Sequence, residues 1–363
     1  MTSGRERGGR RSGGVSIADV ARLSRTSLAT VSRVLSDSAH PVAAETRQRV
    51  REAAAALGYQ PNAIARALAT QRTRTIGLIV GDIADSYFAE IARGVEDTAG
   101  PHGYLTIICN ADRTPDTELA YFRMLLDHKV AAILFAGGLF GGRDETERLR
   151  QAVQRAQEEG RRVIALAPRD FPDVPTIAID NRGVAYDMTR YLIQLGHRQI
   201  AFVGGPAGLN TGKLRRDGFV AAMTEAGLDA SMVYDAGFTI ESGNQAAMTM
   251  LTRTLPDAVL AATDDTAIGV LATFRAAGID VPGQLSVAGI DDSRMAHLFD
   301  LTTVKIAKYE LGELAAKIVV EEGGGEVAAS TIVPHRLVAR GSPRFGKAAP
   351  LPAAPPPRRR AGK

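Results

Sequence analysis

The stretch "TSLATVSRVLSD", residues 26–37, decides how the chain is read. At about 100° per residue, Val31, Val34 and Leu35 fall on one stripe, the spacing of a helix packed onto a small core. The opposite side carries Leu28, Ala29, Ser32 and Arg33. Ser27 is placed to cap the helix, which brings the Ser27, Thr30 and Ser32 hydroxyls close to the free N–H groups of the first turn, a surface suited to an anion. Upstream, "SIADVARL" has Ser16 as N-cap with Asp19 following as an approximate capping box, and it sets Ile17, Val20 and Leu23 on one side. A turn of about three residues joins the two helices, and after the loop "SDSAHP" the stretch "AAETRQRVREAAAALGY" reads as a longer helix ended by Gly58. Two short helices across a tight turn, the second with a polar outer face, form a helix-turn-helix pattern. Ala29 and Arg33 are i, i+4 neighbours, so the small side chain lets the helix approach base edges while Arg33 reaches guanine O6 and N7, and Leu28 meets a thymine methyl.

Charge supports that reading. Residues 1–75 hold 13 Lys and Arg against 5 Asp and Glu, whereas the rest of the chain holds 31 against 35. A basic head on a slightly acidic body implies that the head meets a polyanion. The Gly/Arg-rich residues 1–14 read as a disordered tail, yet residues 15–75 without them still carry 9 basic against 4 acidic side chains.

At 363 residues and 45% apolar, the chain is globular and long enough for two or three domains. One cysteine, Cys109, excludes an internal disulfide and fits a reducing compartment. No apolar run has the length of a signal sequence core at the start or of a membrane span anywhere, so the expected location is the cytoplasm. From "RTIGLIVGDI" onward, strand-like runs ("YLTIICN", "AAILFAG", "RVIALAP", "TIAID", "QIAFVGG", "AVLAAT", "LSVAGID") alternate with helical segments, the pattern of parallel sheets in α/β domains. The core is too large for one doubly wound sheet, and "TIAIDNRG" is the expected crossing between two lobes. The expected organisation is therefore a tail at 1–14, a headpiece at 15–61, a hinge helix and linker at 62–74, a two-lobed core at 75–343 and a Pro/Arg-rich tail at 344–363. The segment "NAIARALAT", residues 62–70, is about two turns long and needs a partner to become helical; Leu68 beside Ala65 would ordinarily be a core residue, but the segment lies between domains with no core of its own, and a leucine wedged into the minor groove at a kinked step would explain it.

Other chemistry is poorly supported. "GGPAGLNTGKLRRDGF", residues 204–219, resembles a phosphate loop, but Ala207 takes the glycine position and Leu214 follows Gly212-Lys213. No G-x-G-x-x-G follows a strand, none of the six histidines has metal-ligand spacing, and neither a serine elbow nor a cysteine nucleophile is present. No enzyme, no cofactor and no metal is expected. A transport-type binding protein, the nearest rival, would have a signal peptide and lack the headpiece.

"SIADVARLSRTSLATVSRVLSD", "ETRQRVREAAAALGYQPNAIARALAT", "RTIGLIVGDIADSYFAEIARGVE", "YLIQLGHRQIAFVGGP", "LRRDGF" and "LSVAGIDD" together resemble the lactose/galactose-repressor (LacI/GalR) family of bacterial transcription regulators, from about Val15 to Arg340. The resemblance implies a helix-turn-helix headpiece, a hinge helix that folds on DNA, and a periplasmic-binding-protein-like core of two doubly wound parallel-sheet lobes. It implies a homodimer or dimer of dimers, most often a repressor, that binds double-stranded operator DNA under control of a small effector: a sugar, a sugar derivative or a nucleobase. Carried over by position, Ser16, Ser27, Thr30 and Ser32 match phosphate-contacting places and Leu28, Ala29 and Arg33 base-reading ones. Asn62 matches the hinge start, Ala65 and Leu68 its minor-groove face. Tyr87, Phe88, Thr211, Arg215, Thr263 and Asp291 match effector-contacting places. This chain departs from the family pattern at Ala167-Pro168-Arg169, which lacks an acid often used on sugar hydroxyls, at Thr263-Asp264, at Leu209, and at Ala43, which replaces a capping serine.

Overall fold

The computed structural model describes residues 15–35, 40–59, 73–138, 143–206, 208–321 and 330–343. The two expected tails and the hinge helix, with Asn62, Ala65 and Leu68, lie outside the described residues. The chain divides into two compact units, Met1–Arg74 and Thr75–Lys363.

The first unit contains α1 (Ile17–Ser24), α2 (Leu28–Leu35) and α3 (Ala44–Ala56). The Ser16 N–H and Oγ both donate to Asp19 Oδ2, at 3.0 and 2.7 Å, which ties down the start of α1. Arg25 then adopts φ 53, and the Thr26 N–H returns to the Ala21 carbonyl at 3.0 Å, closing α1 and turning the chain within three residues. Ser27 Oγ accepts the Thr30 N–H at 3.1 Å, so the expected cap of α2 is in place. Val20, Ala21, Val31, Val34, Val50, Ala53 and Ala54 form the core, with Ile17, Leu35, Val42, Leu57 and Tyr59 packed around it. Leu23 departs from expectation: it is 53% exposed, because Ala21 and Ser24 take the inner face at that end of α1 and Ser24 Oγ bonds back to the Val20 carbonyl. Ala43 caps α3 with no side-chain hydrogen bond, a loss of about 1 kcal/mol relative to serine.

The second unit begins with β1 (Thr75–Val80), α4 (Ser86–Ala99), β2 (Leu105–Asn110), α5 (Pro115–Asp127), β3 (Ala132–Phe135), α6 (Arg143–Glu158), β4 (Arg162–Ala165) and β5 (Thr176–Ile179). A second lobe follows: α7 (Asn181–Gln194), β6 (Ile200–Val203), α8 (Asn210–Glu225), β7 (Val233–Tyr234), α9 (Ile240–Leu251), β8 (Ala258–Ala261), α10 (Asp264–Ala276), β9 (Ser286–Ala288) and α11 (Arg294–Leu298). The chain ends with β10 (Thr303–Ile306), α12 (Lys308–Val320), β11 (Ser330–Val333) and β12 (His335–Val338). One parallel sheet has the order β11-β5-β4-β3-β1-β2, the other β7-β6-β8-β9, and β10 pairs with β12 antiparallel.

The expected crossing at "TIAIDNRG" is present, where β5 ends and Asp180 caps α7 by accepting the Gly183 N–H at 2.8 Å. Two more crossings were not expected. After β10 the chain returns to the first lobe, where α12 packs on α4 so closely that a Cβ at Gly94 would lie 2.1 Å from the Tyr309 carbonyl oxygen and one at Gly312 would lie 2.1 Å from that of Ile91. β11 then joins the first sheet beside β5, and β12 pairs with β10, so three strands of chain connect the lobes.

Candidate functional site

Parallel strands end on one edge of each sheet, and loops leaving those C-terminal ends are where α/β folds collect binding groups. In the second unit the two lobes turn these edges toward one cleft. From the first lobe come Gly81 after β1, Asp85, Tyr87 and Phe88 at the start of α4, Arg113 after β2, Glu118 on α5, Gly137 after β3, and Ala167 and Arg169 after β4. The second lobe supplies Asn181, Leu209, Thr211, Arg215, Phe238, Thr263 and Asp291.

Each polar group is held by a partner. Asp85 caps α4: its Oδ1 accepts the Tyr87 N–H at 2.9 Å, and its Oδ2 accepts from Arg113 Nη2 at 3.2 Å. Burial raises its carboxyl above the ordinary range despite that arginine. Phe88 is buried beneath Gly81 and Gly137 and meets Tyr87 edge to face at a centroid distance of 5.0 Å, so the pair forms an apolar wall. Burial also pushes the Tyr87 hydroxyl upward, keeping it a neutral donor.

On the far wall Arg215 is 3% exposed; its Nε donates to Asn181 Oδ1 at 3.0 Å, its Nη1 to the Ala262 carbonyl, and its Nη2 lies 3.7 Å from Asp291 Oδ1. Thr263 caps α10 by accepting the Thr266 N–H at 3.2 Å. Asp291 reaches the cleft from a backbone at φ 131, a conformation L-residues rarely adopt. Its N–H donates to the Val304 carbonyl at 2.9 Å, while buried Asp264 beside it accepts from the Ser293 N–H at 2.7 Å and the Thr303 hydroxyl at 2.5 Å. Asp264 thereby clamps the segment that carries Asp291 between α10 and β10. Burial pushes the Asp291 carboxyl up to about 8, with Arg215 and Lys308 pulling it back down.

All six effector positions named from the sequence, Tyr87, Phe88, Thr211, Arg215, Thr263 and Asp291, line this one cleft. Asp85, Arg113, Glu118 and Phe238 line it too and were not singled out beforehand. In the first unit Ser16, Ser27, Leu28, Ala29, Ser32 and Arg33 are exposed and Thr30 is half-buried, while Val31 and Val34 are buried. The outer face of α2 is thus as the helical spacing required, with Leu28 53% exposed although the core lies one turn away.

Residues 16–62 match the family model described as "Bacterial regulatory proteins, lacI family", and residues 73–341 the one described as "Periplasmic binding proteins and sugar binding domain of LacI family". Catabolite control protein A of Priestia megaterium is 34% identical over 337 residues, covering 90% of this chain and 99% of that protein. The HTH-type transcriptional regulator RegA of Clostridium saccharobutylicum is 35% identical, covering 84% and 92%. Among solved structures, a Lac repressor dimer bound to operator and the anti-inducer ONPF is similar with a TM-score of 0.80 at 25% identity, covering 92% of this chain and all of that one, 100%. A complex of the transcriptional regulator CelR with cellobiose has a TM-score of 0.65 at 28% identity, covering 90% and 99%.

Proposed function

Because the chain belongs to the LacI family of bacterial regulatory proteins, we propose that it is a transcription repressor that binds operator DNA as a homodimer and is controlled by a small polar effector, a sugar or sugar derivative, in the cleft of its core. It is a regulator and not an enzyme. The observation that carries the reading is a single chain with both halves of such a device: a helix-turn-helix whose second helix exposes Leu28, Ala29 and Arg33, and a cleft built from side chains of two lobes.

On the headpiece, Ser16, Ser27, Thr30 and Ser32 contact phosphates, which positions the helix, and Leu28, Ala29 and Arg33 read base edges. Asn62 begins the hinge helix that Ala65 and Leu68 press into the minor groove. Bringing a ligand between lobes joined by three strands of chain favours one lobe arrangement, and DNA affinity changes if the two arrangements hold the headpieces differently.

Exposed apolar groups support a second copy as partner. β2 is an edge strand yet shows Leu105, Ile107 and Ile108 to solvent, and the second lobe does the same with Met248 and Leu251 on α9 and Met295 and Leu298 on α11. Monomeric proteins blunt such edges with charge, so apolar faces on both lobes fit a two-fold interface along the core. No helix among the described residues is long and apolar enough to cross a membrane. A DNA target supports a cytoplasmic location.

Selection of bound duplexes from random DNA by the full-length protein tests the reading. The expected result is a near-palindrome with guanine in each half-site and a flexible central step, as a two-fold dimer with wedging hinge residues requires. Recovery of asymmetric sites, or no enrichment, would overturn it.

A further inference from the structure

Ala167 puts only a methyl group on the first-lobe wall of the cleft, so an acceptor for ligand hydroxyls has to come from elsewhere on that lobe. Both oxygens of Asp85 already hold a partner: one accepts the Tyr87 N–H and the other accepts from Arg113. Glu118 differs. Its Oε1 accepts from Arg169 Nη2 at 2.7 Å, its side chain is 12% exposed and lines the cleft, and Oε2 has no hydrogen-bond partner among the described residues.

The arm that aims Glu118 is rigid. The Arg169 side chain is 1% exposed, its guanidinium lies 4.8 Å from the Phe135 ring centroid and 5.6 Å from that of Phe171, and Nε and Nη2 both donate to the Gly137 carbonyl. Nη1 is buried and has no hydrogen-bond partner among the described residues. Arg169 is therefore a positioning residue, and the group it leaves facing the cleft is a carboxylate.

The charge pattern selects the ligand. Arg113 faces Asp85 at 3.2 Å, Arg169 faces Glu118 at 2.7 Å, and Arg215 lies 3.7 Å from Asp291. A phosphate or carboxylate entering the cleft would have to displace one of these acids, at the expense of leaving a partly buried carboxylate unpaired. A neutral hydroxylated ring breaks no pair, since each acid can accept a hydroxyl while its arginine stays in place.

Resting on the functional reading above, we propose that Glu118 is the first-lobe acceptor for the hydroxyls of an uncharged sugar and determines specificity for such a ligand over its phosphorylated form.

The test is titration of full-length wild type and Glu118→Gln with D-glucose, D-ribose, cellobiose, glucose 6-phosphate, ribose 5-phosphate and adenine, followed by calorimetry and thermal shift. Gln keeps an oxygen for Arg169, so the unliganded melting temperature should hold. Wild type should bind at least one uncharged sugar in preference to the phosphates, and Glu118→Gln should bind that sugar about 10- to 150-fold more weakly, the loss for one hydrogen bond to a charged group. A deoxy form of the sugar lacking the contacted hydroxyl should bind both proteins alike. Wild type that binds only a phosphorylated sugar or adenine, or nothing in the set, would overturn the proposal, as would unchanged sugar binding by Glu118→Gln. Failure to select any DNA would instead strike the regulatory reading and leave the sugar titrations to judge Glu118.

Discussion

Arg215→Ala is expected to abolish the response of operator binding to effector while leaving operator affinity without effector close to wild type. Arg215 is buried, and its guanidinium joins three things at once: Asn181 where the chain enters the second lobe, the Ala262 carbonyl at the end of β8, and Asp291. Truncation leaves the Asn181 side chain and the Ala262 carbonyl without their donor and removes the guanidinium 3.7 Å from Asp291, so the core should lose about 1–3 kcal/mol of stability for each orphaned acceptor. The headpiece forms its own compact unit with its own apolar core and does not depend on these bonds. Arg215→Lys separates fold from function: it keeps the positive charge beside Asp291 but lacks the planar fork that reaches both acceptors, so it should recover much of the stability and little of the response. Operator titration with and without a bound sugar, beside thermal unfolding of each variant, checks this. A normal ligand response in Arg215→Ala would place the effector outside the cleft.

Arg33→Ala should weaken operator binding by about 1–3 kcal/mol for each half-site contacted and relax the guanine preference there, with little change in binding to arbitrary DNA. Arg33 is exposed at the end of α2, beside Ala29, while Val31 and Val34 anchor the helix from beneath, so its removal alters no packing. The check is a comparison of sites selected by wild type and variant. An unchanged guanine preference would mean that α2 does not read bases as assigned.

How much of this was legible in the sequence depended on how local the cause was. The headpiece was readable because its signals are short-range: a hydroxyl cap, a capping-box acid and valines at helical spacing all sit between Ser16 and Val34. Leu23 was misplaced because in a helix of two turns Ala21 and Ser24 fill the inner face as well as a leucine would. The buried strands announced themselves as apolar runs, whereas β10, β11 and β12 ("TVKI", "STIV", "HRLV") mix charged and hydroxyl side chains with apolar ones, and β7 is two residues long. The second and third crossings between lobes follow from those strands and were missed with them. At the cleft, family resemblance pointed to Arg215 and Asp291, but nothing local marks Glu118. In the first turn of α5 it looks like an ordinary acid complementing the helix dipole, and only the fold brings Arg169 to it from 51 positions away.

The measurement that tests the account most directly is titration of the selected operator with full-length protein, with and without a sugar that raises its melting temperature. Stabilisation alone shows only that the sugar prefers the native state. A regulator of the kind described here should change its operator affinity by about 5- to 150-fold when the cleft is filled, and operator should change sugar affinity by the same factor. Superimposable DNA-binding curves with the cleft saturated would contradict the account.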